Sequence, residues 1–335
     1  MGKMNIVWNR YFRDKKRFAD FFNGVLHDGN QVIRAEDLKE VSEMYEEPML
    51  TTPEGENEGE RIERIRDIRM TMNTGEVYRL LALENQYMVN YAMPFRCMQY
   101  DTVEYSRQLD ELRRNNEESD DYETAAERVG KVKKTDRLVP IYTVCLYHGE
   151  EVWDGPRSLK DMMDFGKDED NTSKFFADYP MRLFCVNEQE NFDEFHTDIK
   201  KVFRALKFQG NTRGFKEEIQ NNSDYRNLDM DTWEVISVAL NAPKLQKIGK
   251  AIIKEEKEKE KMDMCTALRE IEAEAKAEGK AEGKAESVLE LLSEKGEVSA
   301  DLREKIINQK DMELLGRWLK KAAKAGNIEE FEKDM

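Results

Sequence analysis

The run Arg61 to Tyr100, RIERIRDIRMTMNTGEVYRLLALENQYMVNYAMPFRCMQY, admits few folds. It reads as a β-hairpin leading into a helix. The first strand sets a lone acid, Asp67, among Ile62, Ile65, Ile68 and Met70. Asn73-Thr74-Gly75 supplies the turn, because Asn and Gly accept the positive φ of tight hairpin turns. The second strand, Val77 to Gln86, is almost wholly apolar until it ends in Glu84-Asn85-Gln86.

Side chains alternate faces along a strand, so Leu80, Ala82, Glu84 and Gln86 share one face. A two-residue loop at Thr74-Gly75 predicts Asp67 opposite Ala82 and diagonal to Glu84. Diagonal pairs lie roughly 7–8 Å apart, close enough for two carboxylates to hold one cation. A three-residue loop would turn one strand over and part the acids. Hard oxygen donors with room for water suit Mg²⁺, with Mn²⁺ as the alternative ion. Such an ion polarises a phosphoryl oxygen and lowers the pKa of a bound water, which Gln86 would orient. The residues alone leave a second reading open, in which Asp67 and Glu84 are ordinary strand carboxylates facing an edge or solvent.

The order acid, hairpin, Glu-x-Gln, helix resembles the PD-(D/E)XK nuclease superfamily, and within it the Rpn family of recombination-promoting nucleases and putative transposases. The resemblance extends over most of the chain and is strong in Leu138 to His148 and in the loop Gly149 to Leu159. Arg66-Asp67 stands where the superfamily often has Pro-Asp, and Gln86 stands at its usual Lys position. The resemblance implies a restriction-endonuclease-like α/β fold, with a mixed sheet flanked by helices. It implies a Mg²⁺-dependent DNA endonuclease with Asp67, Glu84 and Gln86 as catalytic residues and Asp67 and Glu84 as metal ligands. It also places an Arg and a Tyr, here Arg96 and Tyr100, beside the active site, where Arg96 would touch a DNA phosphate. The alternative for Arg96 is an ion pair with Asp101 or Glu84. The first helix of the superfamily often reaches the edge of the metal site, which points to Asn9 or Arg10 here.

The net charge of −16 runs against nucleic-acid binding, although Lys3, Arg10, Arg13, Lys15, Lys16 and Arg17 face only Asp14 in the first 17 residues and predict a local basic patch. Cys97, Cys145, Cys185 and Cys265 have no zinc spacing and read as free buried thiols. No apolar run approaches the roughly 20 residues of a membrane span, so a soluble cytoplasmic protein is expected. A non-catalytic interaction protein built on a decayed nuclease core is the rival reading, favoured by the acidic total and the absent Lys.

Along the chain, residues 4–26 predict a broken helix whose aromatic face includes Ile6, Tyr11, Phe12, Phe18, Phe21 and Phe22. Gln31-Val32-Ile33 predicts a short strand, Ala35 to Met44 a helix, and Glu46 to Glu60 an acidic loop. A helix is expected over Met93 to Asn115, with a solvated connection over 113–137. Leu138 to His148 and Met181 to Val186 read as core strands, with a helix over Phe192 to Leu206 and a structural role for His148. These elements make a nuclease-like domain over 1–245. A charged helical spacer with KAEG repeats follows over 246–286. A small helical unit closes the chain over 287–335, anchored by Leu315, Trp318 and Leu319 and suited to homo-oligomer contacts.

Overall fold

A computed structural model describes residues 3–41, 68–74, 78–168, 172–255 and 261–333. The chain divides into two compact units, 1–262 and 263–335, so the division falls inside the predicted spacer.

The first unit is a mixed α/β fold around a five-stranded sheet of order β1-β2-β3-β4-β5. The strands are β1 (Leu38–Glu40), β2 (Ile68–Asn73), β3 (Tyr78–Gln86), β4 (Ile141–Tyr147) and β5 (Arg182–Cys185). β1, β2 and β3 pair antiparallel, while β3, β4 and β5 run parallel. The centre of the sheet is apolar on both faces, with Leu80 to Leu83 and Val144 to Leu146 buried, as the unbroken hydrophobic runs require.

α1 (Lys3–Arg13) and α2 (Lys15–His27) are the expected broken helix. Asp14 makes the break, because its carboxylate accepts from the amides of Lys16 and Arg17 and caps α2. Such a cap is worth about 1 kcal/mol. Asp28 and Gly29, at φ of 51° and 80°, end α2 in the left-handed region. The aromatic face is core, with Trp8, Tyr11, Phe12, Phe18, Phe21 and Phe22 buried, but Ile6 is exposed.

The chain departs from the expected elements in four places. Ile33 joins no strand, because the Asn23 side chain takes both its amide and its carbonyl at 2.8 Å. The predicted helix from Ala35 is one 3₁₀ turn followed by β1, where Leu38 pairs with Met72. Tertiary pairing outweighs helix propensity there. The connection after Asn115 is more ordered than expected: α3 (Met93–Ser119) runs on, and α4 (Ala125–Gly130) starts from a capping box between Thr124 and Glu127. The helix predicted from Phe192 begins only at α5 (Ile199–Leu206), because buried Asp20 accepts from the amides of His196 and Thr197 and from the Thr197 hydroxyl. Phe192 and Phe195 still reach the core, where they pack on Phe203.

α6 (Thr212–Asn221), α7 (Met230–Ala239) and α8 (Pro243–Glu255) complete this unit, with α7 against α1. The predicted loop Glu46 to Glu60 lies outside the described residues.

In the second unit, α9 (Met264–Ser293) is one 30-residue helix that contains the KAEG repeats. α10 (Ala300–Ile307), α11 (Met312–Lys324) and α12 (Ile328–Glu332) follow, and Ser299 caps α10 as expected. The unit has its own core, in which Leu302, Ile306, Leu315, Trp318 and Phe331 meet α9. Ala281 and Ala285 belong to that core, so the second half of the repeat is packed structure rather than spacer. Leu319 packs at its margin.

Candidate functional site

The end of β3 presents Glu84, Asn85 and Gln86 to alternate faces of the sheet. Asn85 is buried and turns toward α1, donating to the Asn9 side chain at 2.8 Å. Glu84 is 1% exposed and turns toward α3, opposite Cys145 in the β3–β4 ladder. Gln86 is half-buried at the strand end, and its carbonyl accepts from the His148 amide at 3.0 Å.

The hairpin register differs from the expected one. Asn73 pairs with Tyr78, so the strands are offset by two residues from a Thr74-Gly75 two-residue loop. Ala82 therefore faces Arg69 instead of Asp67, and Arg69 takes the position diagonal to Glu84. An even offset keeps each residue on its face. Asp67 itself lies outside the described residues.

α3 covers the Glu84 face with a polar row. Arg96, half-buried, donates to the Tyr100 hydroxyl at 3.2 Å. Burial disfavours its charge, but the Tyr100 hydrogen bond and the Glu84 carboxylate hold its pKa above the ordinary arginine value. Asp101 is not the partner of Arg96; it accepts from Thr143 Oγ1 at 2.6 Å and from the Tyr179 hydroxyl at 2.5 Å. Buried Glu104 accepts from Arg69 at 3.3 Å and from Arg107 at 2.6 Å. Sequence reasoning missed Arg69, Glu104, Thr143 and Tyr179. Only Glu104 had a visible signal, the three- and four-residue spacing of Arg96, Tyr100, Glu104 and Arg107, which sets polar side chains along one side of α3.

Three thiols lie on the same face. Cys97, Cys145 and Cys185 form no disulfide among the described residues and are buried with Met93, Tyr147 and Trp153. Burial, with the neighbouring Cys97 and Glu84, pushes the Cys145 thiol well up, so it is a packing group and not a nucleophile.

Arg10 stands elsewhere. It pairs with Asp231 at 3.3 Å and with Glu234, both on α7. Its helix covers the Asn85 face, whereas Arg96 belongs to the Glu84 face. The two arginines expected to hold DNA are thus not brought to one surface. The three arginines of the expected basic patch are each paired with acids. Arg13 pairs with Glu40 at 3.3 Å, and Arg17 pairs with Asp229 at 2.5 Å and Asp231 at 3.4 Å.

His148 is packing, as expected. It is fully buried and stacks on Trp8 at 4.2 Å, and neither ring nitrogen has a hydrogen-bond partner among the described residues. Burial lowers its pKa to about 3.

Among the described residues no group of three or more His, Cys, Asp or Glu side chains is placed to hold a metal. Glu84 offers one carboxylate, and Mg²⁺ sites are built from one or two carboxylates with water and phosphate oxygens completing the shell. Asp67, the expected second ligand, lies outside the described residues. No family model, curated protein or solved structure matches the chain. No helix of the described residues is long and apolar enough to cross a membrane.

Proposed function

We propose that the protein is a metal-dependent DNA endonuclease of the PD-(D/E)XK type, similar to the Rpn nucleases, with a restriction-endonuclease-like first unit. The observation that carries this reading is the Glu84 carboxylate, buried at the end of the central strand beside Arg96 and two residues from Gln86. A carboxylate withdrawn from water next to a guanidinium is a costly arrangement for a purely structural strand end.

In this reading Asp67 and Glu84 would hold Mg²⁺ or Mn²⁺, and the ion would supply Lewis-acid stabilisation of phosphoryl oxygen charge. Gln86 orients the attacking water through its side-chain amide. As the water oxygen bonds to phosphorus and gives a proton to solvent, the P–O ester bond breaks and its oxygen takes a proton from solvent, while negative charge builds on the non-bridging oxygens. Arg96, held by Tyr100, faces that charge. A Gln at position 86 positions water without adding the positive charge of a Lys, so Arg96 is the main cationic group of the site.

A second reading has its own support. The Arg96 charge lies within electrostatic range of Glu84 and offsets part of the carboxylate charge without a metal. A nuclease-fold scaffold acting through its C-terminal helices would show that arrangement. Calorimetric titration with Mn²⁺ separates the two. A nuclease binds the ion and loses it in both Asp67→Ala and Glu84→Ala. Folded wild-type protein that takes up no Mn²⁺ would favour the scaffold.

A further inference from the structure

Two carboxylates, Glu84 and Glu104, are buried where α3 covers the sheet, and their surroundings differ. Glu104 is closed on both oxygens. Its Oε2 accepts from Arg69 at 3.3 Å and its Oε1 from Arg107 at 2.6 Å. A carboxylate gripped by two guanidiniums has little left to offer a metal ion. Glu84 has the Arg96 charge within electrostatic range.

Arg69 lies between these two acids. The hairpin register sets it opposite Ala82, so Glu84 is its diagonal neighbour across β2 and β3. Both project from the face that α3 covers, since Arg69 reaches Glu104 and Glu84 lies in range of Arg96. Diagonal residues are roughly 7–8 Å apart at the backbone, a gap that a long side chain crosses. Arg69 thus has one carboxylate within span on the helix and another on the neighbouring strand, and it is bound to the one on the helix. Its side chain is only 10% exposed, so water does little to compensate its charge, and a buried guanidinium is costly without a carboxylate. Arg107 is less constrained, at 39% exposed and 4.0 Å from Glu111.

We propose that Glu104 is a positioning residue for metal uptake: by holding Arg69 against α3, it keeps that guanidinium off Glu84 and leaves Glu84 to a divalent cation. This deepens, and rests on, the nuclease reading. With residue 104 neutral, the Arg69 charge turns to its diagonal neighbour. Glu84 then stands between Arg69 and Arg96, as Glu104 now stands between Arg69 and Arg107, and offers a cation little. Glu104 touches neither metal nor substrate in this scheme and acts only through Arg69.

The test pairs calorimetric titration of the full chain with Mn²⁺ and a metal-free crystal structure of Glu104→Gln. That variant should bind Mn²⁺ at least about tenfold more weakly than wild type. Adding Arg69→Met to it should restore the affinity to within about threefold. Glu111→Gln removes the same charge from an exposed position on α3 and should change the affinity less than about twofold. The metal-free structure should show the Arg69 guanidinium within about 4 Å of the Glu84 carboxylate. If Glu104→Gln does not fold, the double variant Arg69→Met/Glu104→Met, which exchanges a buried ion pair for apolar groups, takes its place. It should bind Mn²⁺ within about threefold of wild type. Unchanged affinity in Glu104→Gln, no restoration by Arg69→Met, or a loss of about tenfold in the double Met variant overturns the role of Glu104. So does an Arg69 that stays beside residue 104 in the metal-free variant. Wild-type uptake of Mn²⁺ with any of these results strikes Glu104 alone. Folded wild-type protein that takes up no Mn²⁺ removes the nuclease reading, and the role of Glu104 with it.

Discussion

Glu84 and Asn85 are sequence neighbours buried on opposite faces of one sheet; Asn85 donates to Asn9 on α1, and Glu84 lies within electrostatic range of Arg96 on α3. Burial without such partners would cost several kcal/mol for the carboxylate and less for the amide. His148, a few ångströms along the same strand ends, shows the other outcome: it is buried as a neutral ring. Its pKa falls from 6.5 to about 3 through desolvation, so the unfolded chain binds a proton that the folded chain refuses. Stability from this residue is complete above pH 6.5 and is lost as pH falls from 6.5 toward 3, at about 1.4 kcal/mol per pH unit. Urea titrations at pH 7 and pH 5 should therefore show wild type losing about 2 kcal/mol more than His148→Phe. Equal losses would mean that His148 is hydrated or paired.

At the scale of elements, what a sequence reveals depends on whether the determining contact is local. Ile141 to Tyr147 is legible because seven successive β-forming residues fit only a covered strand. The break at Asp14 and the start of α10 at Ser299 are legible for the same reason, since the capping side chain sits beside its amides. The failures are long-range. Asp20 holds His196 and Thr197 out of a helix from 176 residues away. Asn23 satisfies the Ile33 backbone that a strand would otherwise have paired. Of the candidate site, the shared face of Glu84 and Gln86 and the pairing of Arg96 with Tyr100 could be read from spacing. The offset of the hairpin could not, because alternation along a strand does not set loop length. The role of Asp20 is testable: Asp20→Asn removes a charged acceptor for three donors and should cost about 3 kcal/mol. Hydrogen exchange should report the loss first around His196 and Thr197. An unchanged denaturation midpoint would show that the loop holds itself.

At the scale of the whole molecule, two units with separate cores share one chain. The C-terminal unit is small, and small single cores supply only about 3–5 kcal/mol. Truncating a buried Trp costs about as much. Trp318→Ala should thus remove amide protection across 281–331 while β3 and β4 keep theirs, as read by hydrogen exchange with mass spectrometry. Loss of protection in both units together would mean that the chain folds as one cooperative body.

The measurement that bears most directly on the buried Glu84 is nicking of supercoiled plasmid by purified full-length protein, in Mg²⁺, in Mn²⁺ and in EDTA, beside Glu84→Ala and Asp67→Ala. A metal-dependent nuclease with this site nicks only with the metal and loses activity at least about a hundredfold in each variant. Cleavage that survives both substitutions, or folded wild-type protein that cuts in no condition, contradicts the assignment of Glu84 as a catalytic carboxylate.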